Sequence, residues 1–305
     1  MTSSAHPVNA SLRDLTIVVA TYRSEAFIEH TIASALACRP AMIIVSDDGS
    51  ADSTLDIVLA LSEQTDIPIR IHRSKVRRGL TRNWNWAIAQ VPTTFCLKLD
   101  HDDLIIPTYA RAAIEYLRQH ETVGIIAGFA YEVVDPFGTE ALSRVPSARA
   151  GVARFESIAA CRAILRWSPY SCSSSTIYRT TKFHAVGGFD SAMSFCNDRE
   201  IWFRMAREGP IAQYGGPGAV VRLHDNNFTK EIRSTERIPF EFEHMFRRAA
   251  AIWPETELRA DFARAFRSVA RNYAGSAIRI ALRKPKEVPI RLLRSGVLLL
   301  KSLTV

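Results

Sequence analysis

The chain reads as an α/β protein, with a mainly parallel sheet flanked by helices and a helical extension at its C-terminus. Three observations predict this. Short apolar, β-branched runs at 15–21, 41–45, 67–72 and 94–99 alternate with amphipathic stretches. Strict alternation of that kind builds parallel strands covered by helices on both faces. Strands buried on both faces carry unbroken apolar runs, as Ile17-Val18-Val19-Ala20 and Met42-Ile43-Ile44-Val45 do. From about residue 234 the pattern turns helical, with Pro254, Pro285 and Pro289 as its breaks.

The first strand is followed by a helix with Phe27, Ile28, Ile32 and Leu36 on one face. Further helices are predicted at 52–64, 79–89 and 107–119, the last opened by Pro107. Trp84 and Trp86 stand two positions apart on the third helix and cannot share a face, so at least one is expected in the core. Residues 123–134 and 173–178 are strand-like, and Asp135-Pro136-Phe137-Gly138 is a turn. Residues 142–151 form a loop, either a mobile lid or an ordinary surface connection. Residues 199–208 are helical, with Ile201, Met205 and Trp202 facing the core, and Glu200, two positions after Asp198, points elsewhere on the helix than Asp198. In the last segment Ile290, Leu293, Val297 and Leu300 recur on one face, opposite Arg291, Arg294 and Lys301.

The 305 residues carry a net charge of +8, but it is not spread evenly. Residues 259–305 hold +9 and the remainder −1. A nucleic-acid enzyme carries a basic stripe on its main domain, so nucleic acid is excluded as a partner. The basic amphipathic segment 286–305 suits either an anionic membrane surface or packing against protein. Cys38, Cys96, Cys161, Cys172 and Cys196 are scattered and show no C-x-x-C, which points away from a disulfide scaffold or zinc site. The N-terminal stretch is polar, without the apolar region of a signal peptide, and no window reaches the length of a membrane span. A cytoplasmic chain, at most apposed to the inner face of the membrane, is the expectation.

The chemistry gathers at strand ends. Residues 94–99 deliver Asp100, Asp102 and Asp103 within four positions. Ligands of open α/β sheets bind outside the carboxyl ends of strands. Clustered carboxylates repel one another unless a cation compensates them, and oxygen ligation suits Mg²⁺ or Mn²⁺. An acidic turn capping the next helix would show the same letters. At the other strand ends, Tyr22 offers a stacking face and Asp48 a hydrogen-bond acceptor. Asp47-Asp48-Gly49-Ser50 equally fits a tight turn with glycine at positive φ.

Taken together, Val18-Val19-Ala20-Thr21-Tyr22, then Ser46-Asp47-Asp48-Gly49-Ser50-Ala51-Asp52-Ser53-Thr54, then Leu99-Asp100-His101-Asp102-Asp103 resemble, in order and spacing, the family-2 glycosyltransferases of the GT-A fold. The resemblance spans roughly residues 14–230. It implies a flexible 1–13, a GT-A domain at 14–232 and a basic helical extension at 233–305. Within the domain, 14–106 would be the nucleotide-binding half and 107–232 the acceptor half.

The resemblance also implies roles. Thr21, Tyr22, Glu25 and Asp48 match positions around the nucleobase, normally uracil. Gly79, Arg82 and Asn83 match the segment approaching the diphosphate and sugar, where arginine is a charge-assisted donor. Asp100 matches the ribose or sugar contact and Asp102 the metal ligand, with Asp103 able to share that role. Val186-Gly187-Gly188-Phe189-Asp190 precedes Asn197-Asp198, where the family has an acidic pair whose Asp is the general base; here that is Asp198. Arg222 and His224 match an R-x-H string in which the histidine completes metal coordination or meets the diphosphate. Arg23 stands where the family often has Asn. Lys98 precedes the acidic run, and strand alternation is expected to point it away from the site.

The expected activity is inverting, metal-dependent transfer from a nucleotide-sugar, UDP-linked first of all, to a hydroxyl of a glycan or lipid-linked acceptor in cell-surface polysaccharide synthesis, with Mn²⁺ or Mg²⁺ as cofactor. The alternative is a non-catalytic nucleotide-sugar-binding or scaffolding protein of the same fold. A nucleotidyltransferase would carry a glycine-rich phosphate loop after the first strand, and residues 20–25 contain no glycine. Donor sugar, linkage and oligomeric state have no signature in the sequence; specificity is expected in loops between 130 and 175.

Overall fold

Hydrophobic alternation becomes a nine-stranded sheet. A computed structural model describes residues 11–146, 151–166, 172–225 and 237–281, with backbone alone at 239 and 272–281. In chain order, β1 (Leu12–Thr21), α1 (Ile28–Ala37), β2 (Pro40–Asp47), α2 (Thr54–Ser62), β3 (Ile69–Arg73), α3 (Leu80–Ile88) and β4 (Phe95–Asp100) form the alternating first half. There follow β5 (Leu104–Ile105), α4 (Pro107–Gln119), β6 (Ile125–Val134), β7 (Val152–Phe155), α5 (Ser157–Leu165), β8 (Ile177–Arg179) and α6 (Thr180–Ala185). Last come α7 (Asn197–Glu208), β9 (Ile211–Leu223), α8 (Ile238–Ile252) and α9 (Arg259–Ala281).

The strand order is β3-β2-β1-β4-β8-β6-β9-β5, with β7 beside β9. The first four strands are parallel, as the alternation predicts. Past α4 the alternation ends and so does the purely parallel sheet. β8 runs antiparallel to both β4 and β6, while β6 and β9 pair in parallel. The sheet is therefore mixed and mostly parallel. Two local expectations change. Residues 173–178 are not one strand: Ser173–Ser175 form a 3₁₀ turn before β8. The predicted loop at 142–151 begins inside a 3₁₀ helix, Thr139–Arg144.

The chain divides into two units. One comprises Met1–Arg154, Tyr170–Gly188 and Pro210–His224; the other Phe155–Pro169, Phe189–Gly209 and Asp225–Val305. The first holds the sheet, and its core includes the fully buried Ile17, Val19, Ile43, Val45, Leu97, Leu99 and Tyr109. Trp84 is buried, as one of the two tryptophans had to be, while Trp86 stacks on His72 at 3.6 Å. The second unit is helical. Phe262, Ala265, Phe266, Val269 and Ala270 make an i, i+3, i+4 stripe on α9, and all are buried. Phe246 of α8 meets Phe266 at 4.9 Å, and Trp253 Nε1 donates to the Phe203 carbonyl at 3.1 Å. The C-terminal helices thus share a core with α5 and α7. The segment 286–305, expected to meet a membrane or a partner, lies outside the described residues.

One close approach fixes the site from behind. A Cβ on Gly128 would stand 2.6 Å from Gly218 Cα, and one on Gly218 would stand 2.5 Å from Ser175 Cβ. The gap lets Gly128 N donate to Ser175 Oγ at 3.1 Å, which seats the 173–175 turn beside β4. Gly128→Ala should cost about 1–3 kcal/mol by overpacking, read as a lower urea midpoint. An unchanged midpoint would show that the strands can part without loss.

Candidate active site

The first cluster sits at the carboxyl ends of β1, β2 and β4. Ala20 pairs with Ser46 on one side and Asp100 on the other, so the three strand ends stand level. Asp47 is buried and its carboxylate accepts N–H bonds from Gly49 at 3.1 Å and Ser50 at 2.9 Å. That turn needs Gly49 at φ 86°, a conformation glycine adopts without steric cost. Asp48 accepts from Arg78 N at 2.6 Å and Gly79 N at 2.9 Å, tying the start of α3 to the end of β2. The tight turn and the acceptor position are therefore the same structure.

Around this turn, Thr21 Oγ1 donates to Ser24 Oγ at 2.7 Å. Arg77 lies over the Tyr22 ring at 4.1 Å and Arg23 at 5.2 Å. Glu25 is exposed and accepts from Ser53 N at 3.0 Å. Arg82 is exposed in the first turn of α3. Asn83, expected near the diphosphate, is instead buried: Ser46 Oγ donates to its Oδ1 at 2.6 Å and its Nδ2 donates to Ser46 O at 2.7 Å. An amide spent at both ends on β2 is a strand-to-helix clamp.

The acidic run separates into three environments. Asp100 accepts from Lys98 Nζ at 2.7 Å and from Ser174 Oγ at 2.8 Å. Lys98 therefore does not point away. Residues i and i+2 of a strand share a face, so Lys98 lies beside Asp100, buried over the Trp84 ring at 4.4 Å and bonded to Ser173 Oγ. Asp102 meets His224 Nε2 at 3.0 Å, which brings together, across 122 residues of sequence, the two side chains expected to hold a metal. Burial pushes the Asp102 carboxyl up, but His101 and the bonded His224 hold it below the usual range.

Asp103 goes the other way. Burial, with Asp102 and Asp100 nearby, raises its carboxyl well above the usual range. It accepts from Arg222 N at 3.0 Å and meets Ser174 Oγ. Ser174 Oγ is within donating reach of both Asp103 and Asp100, so one hydroxyl bridges the two carboxyls. Arg222, of the R-x-H string, is interior: Nε donates to Asp102 O at 3.0 Å, and Nη1 to Asp135 at 2.5 Å and Phe137 O at 2.7 Å.

Among the described residues no group of three His, Cys, Asp or Glu side chains is arranged to hold a metal ion. The Asp102–His224 pair still fits one. Nucleotide-site Mg²⁺ is commonly held by one or two protein ligands, with substrate phosphates completing the shell, and imidazole with carboxylate suits Mn²⁺.

Asp198 lies in the second unit, in the first turn of α7, half-buried. Its neighbours follow the predicted faces: Ile201 and Met205 are fully buried and Trp202 is buried. Glu200 turns inward to Arg204 and to Arg248 Nε at 3.0 Å. Sequence reasoning missed Lys98, Ser173, Ser174, Arg77 and Arg78. Lys98 was readable from its i, i+2 relation to Asp100; the others become neighbours only through the folded loops. Among the described residues no helix is long and apolar enough to cross a membrane.

Comparison with known proteins follows the same lines. Residues 16–187 match the model of glycosyl transferase family 2. An uncharacterized glycosyltransferase of Rickettsia conorii is 25% identical over 207 residues, 67% of this chain and 33% of its own length. One from Haemophilus influenzae is 23% identical over 228 residues, 70% of this chain and 66% of its own. The chain thus spans from a third to two thirds of these relatives. Residues 1–349 of Staphylococcus aureus TarS, solved with UDP-GlcNAc, superpose with a TM-score of 0.58 at 17% identity, over 95% of this chain and 89% of that one. The mannosyltransferase PcManGT of Pyrobaculum calidifontis, solved with GDP-Man and Mn²⁺, gives 0.58 at 17%, over 97% and 91%. With the match running from within β1 to Gly187, just past α6, and with a GT-A sheet beneath it, the chain belongs to glycosyl transferase family 2.

Proposed function

We propose that this protein transfers a sugar from a nucleotide-diphospho-sugar, UDP-linked first of all, to a hydroxyl of a glycan or lipid-linked acceptor, with inversion and with a divalent ion. The observation that carries the metal and donor half is the Asp102–His224 pair beside Asp100 at the end of β4. The neighbours solved with UDP-GlcNAc and with GDP-Man and Mn²⁺ support that reading.

In this reaction Asp198 accepts the proton of the acceptor hydroxyl as its oxygen attacks the anomeric carbon. The bond from that carbon to the diphosphate oxygen breaks, its electron pair leaves with the nucleoside diphosphate, and the anomeric configuration inverts. Tyr22 and Asp48 hold the base, and Arg82 donates to the diphosphate. Asp100 meets the ribose or sugar, oriented by Lys98 and Ser174. A Mn²⁺ or Mg²⁺ held by Asp102 and His224 would supply positive charge against the diphosphate.

The test is a panel of UDP-, GDP- and dTDP-sugars with and without Mn²⁺ or Mg²⁺, followed by nucleotide release and thermal shift. One sugar nucleotide should stabilise the protein in a metal-dependent way and be turned over. In Asp102→Ala the metal-dependent part of the thermal shift should vanish, and release should fall by about 10²-fold or more. Metal-dependent binding without turnover, with glycan acceptors present, would favour the non-catalytic alternative. No response to any donor would sink both.

A further inference from the structure

The general-base reading of Asp198 leaves open what holds it in place. Cys196, the residue before α7, follows a segment without regular structure, and helix N-termini leave their N–H groups without intrahelical partners. Three consecutive N–H groups here converge on one side chain from far along the chain. Glu241 Oε2 accepts from Ser194 N at 3.0 Å, Phe195 N at 2.6 Å and Cys196 N at 3.0 Å, and Oε1 accepts from Ser194 Oγ at 2.9 Å. Glu241 is only 4% exposed, so these charge-assisted bonds are sheltered from water. It belongs to α8, beyond the residues 16–187 that match the family.

Glu241 does not act alone. Positions 241, 244 and 248 lie along one face of a helix, at i, i+3 and i+7. His244 Nε2 meets Asp190 at 3.0 Å, and Arg248 Nε meets Asp190 at 3.4 Å and Glu200 at 3.0 Å. One face of α8 therefore grips the segment on both sides of Asp198: at Asp190 and 194–196 before it and at Glu200 after it.

We propose that Glu241 is a positioning residue for Asp198: its carboxylate fixes the 194–196 main chain that enters α7 and so sets where the base carboxylate stands. This rests on the reading of Asp198 as the base. On it, the C-terminal helices are part of the catalytic apparatus rather than an appendage.

The experiment uses the full chain as Glu241→Gln, Asp198→Asn and the double variant. The isosteric amide keeps the volume and one acceptor oxygen but loses the charge, leaving three N–H donors to a neutral carbonyl. Amide exchange at 194–198 should accelerate about tenfold or more, with β1, β2 and β4 unchanged. Turnover of the UDP-, GDP- and dTDP-sugar panel should fall about 10- to 100-fold in kcat with donor KM unchanged, the scale expected when a catalytic group is displaced by about 1 Å. The double variant should be no slower than Asp198→Asn alone.

Unaltered exchange in Glu241→Gln, or a loss that multiplies with that of Asp198→Asn, overturns the positioning role and leaves the base reading standing. Full turnover by Asp198→Asn, or no turnover of any donor by the unsubstituted chain, overturns the base reading and this inference with it. Should Glu241→Gln fail to fold, amide exchange of the unsubstituted chain decides. Protected amides at 195 and 196 support the clamp, and fast exchange there overturns it.

Discussion

Asp198→Asn should lower kcat by about 10³-fold, within the range a general base contributes, while donor KM and the thermal shift given by donor stay as they are. The substitution is isosteric, so the first turn of α7 keeps its shape. It removes the one property the reaction needs, a basic oxygen that takes the acceptor proton. It also removes a negative charge from a helix N-terminus, a favourable placement worth about 0.3–1 kcal/mol. A 10³-fold loss in rate corresponds to about 4 kcal/mol of transition-state energy. The catalytic effect therefore exceeds any stability effect, and thermal melting separates them. Donor binding serves as the internal control, since Asp198 is assigned to the acceptor's proton and not to the nucleotide. A variant retaining more than about a tenth of the activity would return Asp198 to the lesser role of a charge at a helix end.

What could be read from the sequence, and what could not, follows from how far each contact reaches along the chain. The parallel half was legible because its signal is local: an apolar run, a turn, an amphipathic stretch, repeated. The strand ends were legible for the same reason, and Asp100 and Asp102 fell at the end of β4. Asp102 and His224 were named as partners by resemblance, and the fold brings them to 3.0 Å. Lys98 was misplaced although its evidence was local, because alternation sets i apart from i+1, not from i+2. Asn83, matched to the segment approaching the diphosphate, and Arg222, matched to the R-x-H string, bond the protein's own groups, which their letters do not reveal. A polar letter does not say whether its hydrogen-bonding groups face a ligand or the protein's own backbone, and both residues are buried against main-chain and side-chain partners. Glu241 carried no signal, since the three amides it caps lie about 45 positions away and amides leave no mark in a sequence.

Arg222→Leu should destabilise the fold by about 3–5 kcal/mol, the usual cost of removing one member of a buried ion pair. The leucine keeps an apolar body between Phe137 and Phe27, whose rings lie 3.9 Å and 5.2 Å from the guanidinium carbon. It cannot replace the donors. The carbonyls of Asp102 and Phe137 lose their Arg222 bonds, and Asp135 loses its counter-ion. Asp135 is 32% exposed, and water there moderates the loss; the two carbonyls carry most of it, since an orphaned buried acceptor costs about 1–3 kcal/mol. For a protein of this size the melting temperature should fall by roughly 10 °C. Arg222→Lys keeps the charge but not the planar fork that spans a side chain and two carbonyls, so it should lie between the two. The Asp102 carbonyl belongs to the same turn as the Asp102 carboxylate, so metal-dependent donor binding should weaken in Arg222→Leu, although Arg222 itself touches no donor. If Arg222→Leu melts within a degree or two of the unsubstituted chain, the guanidinium is replaceable there. If it melts early and binds donor normally, Arg222 holds the fold without holding the site.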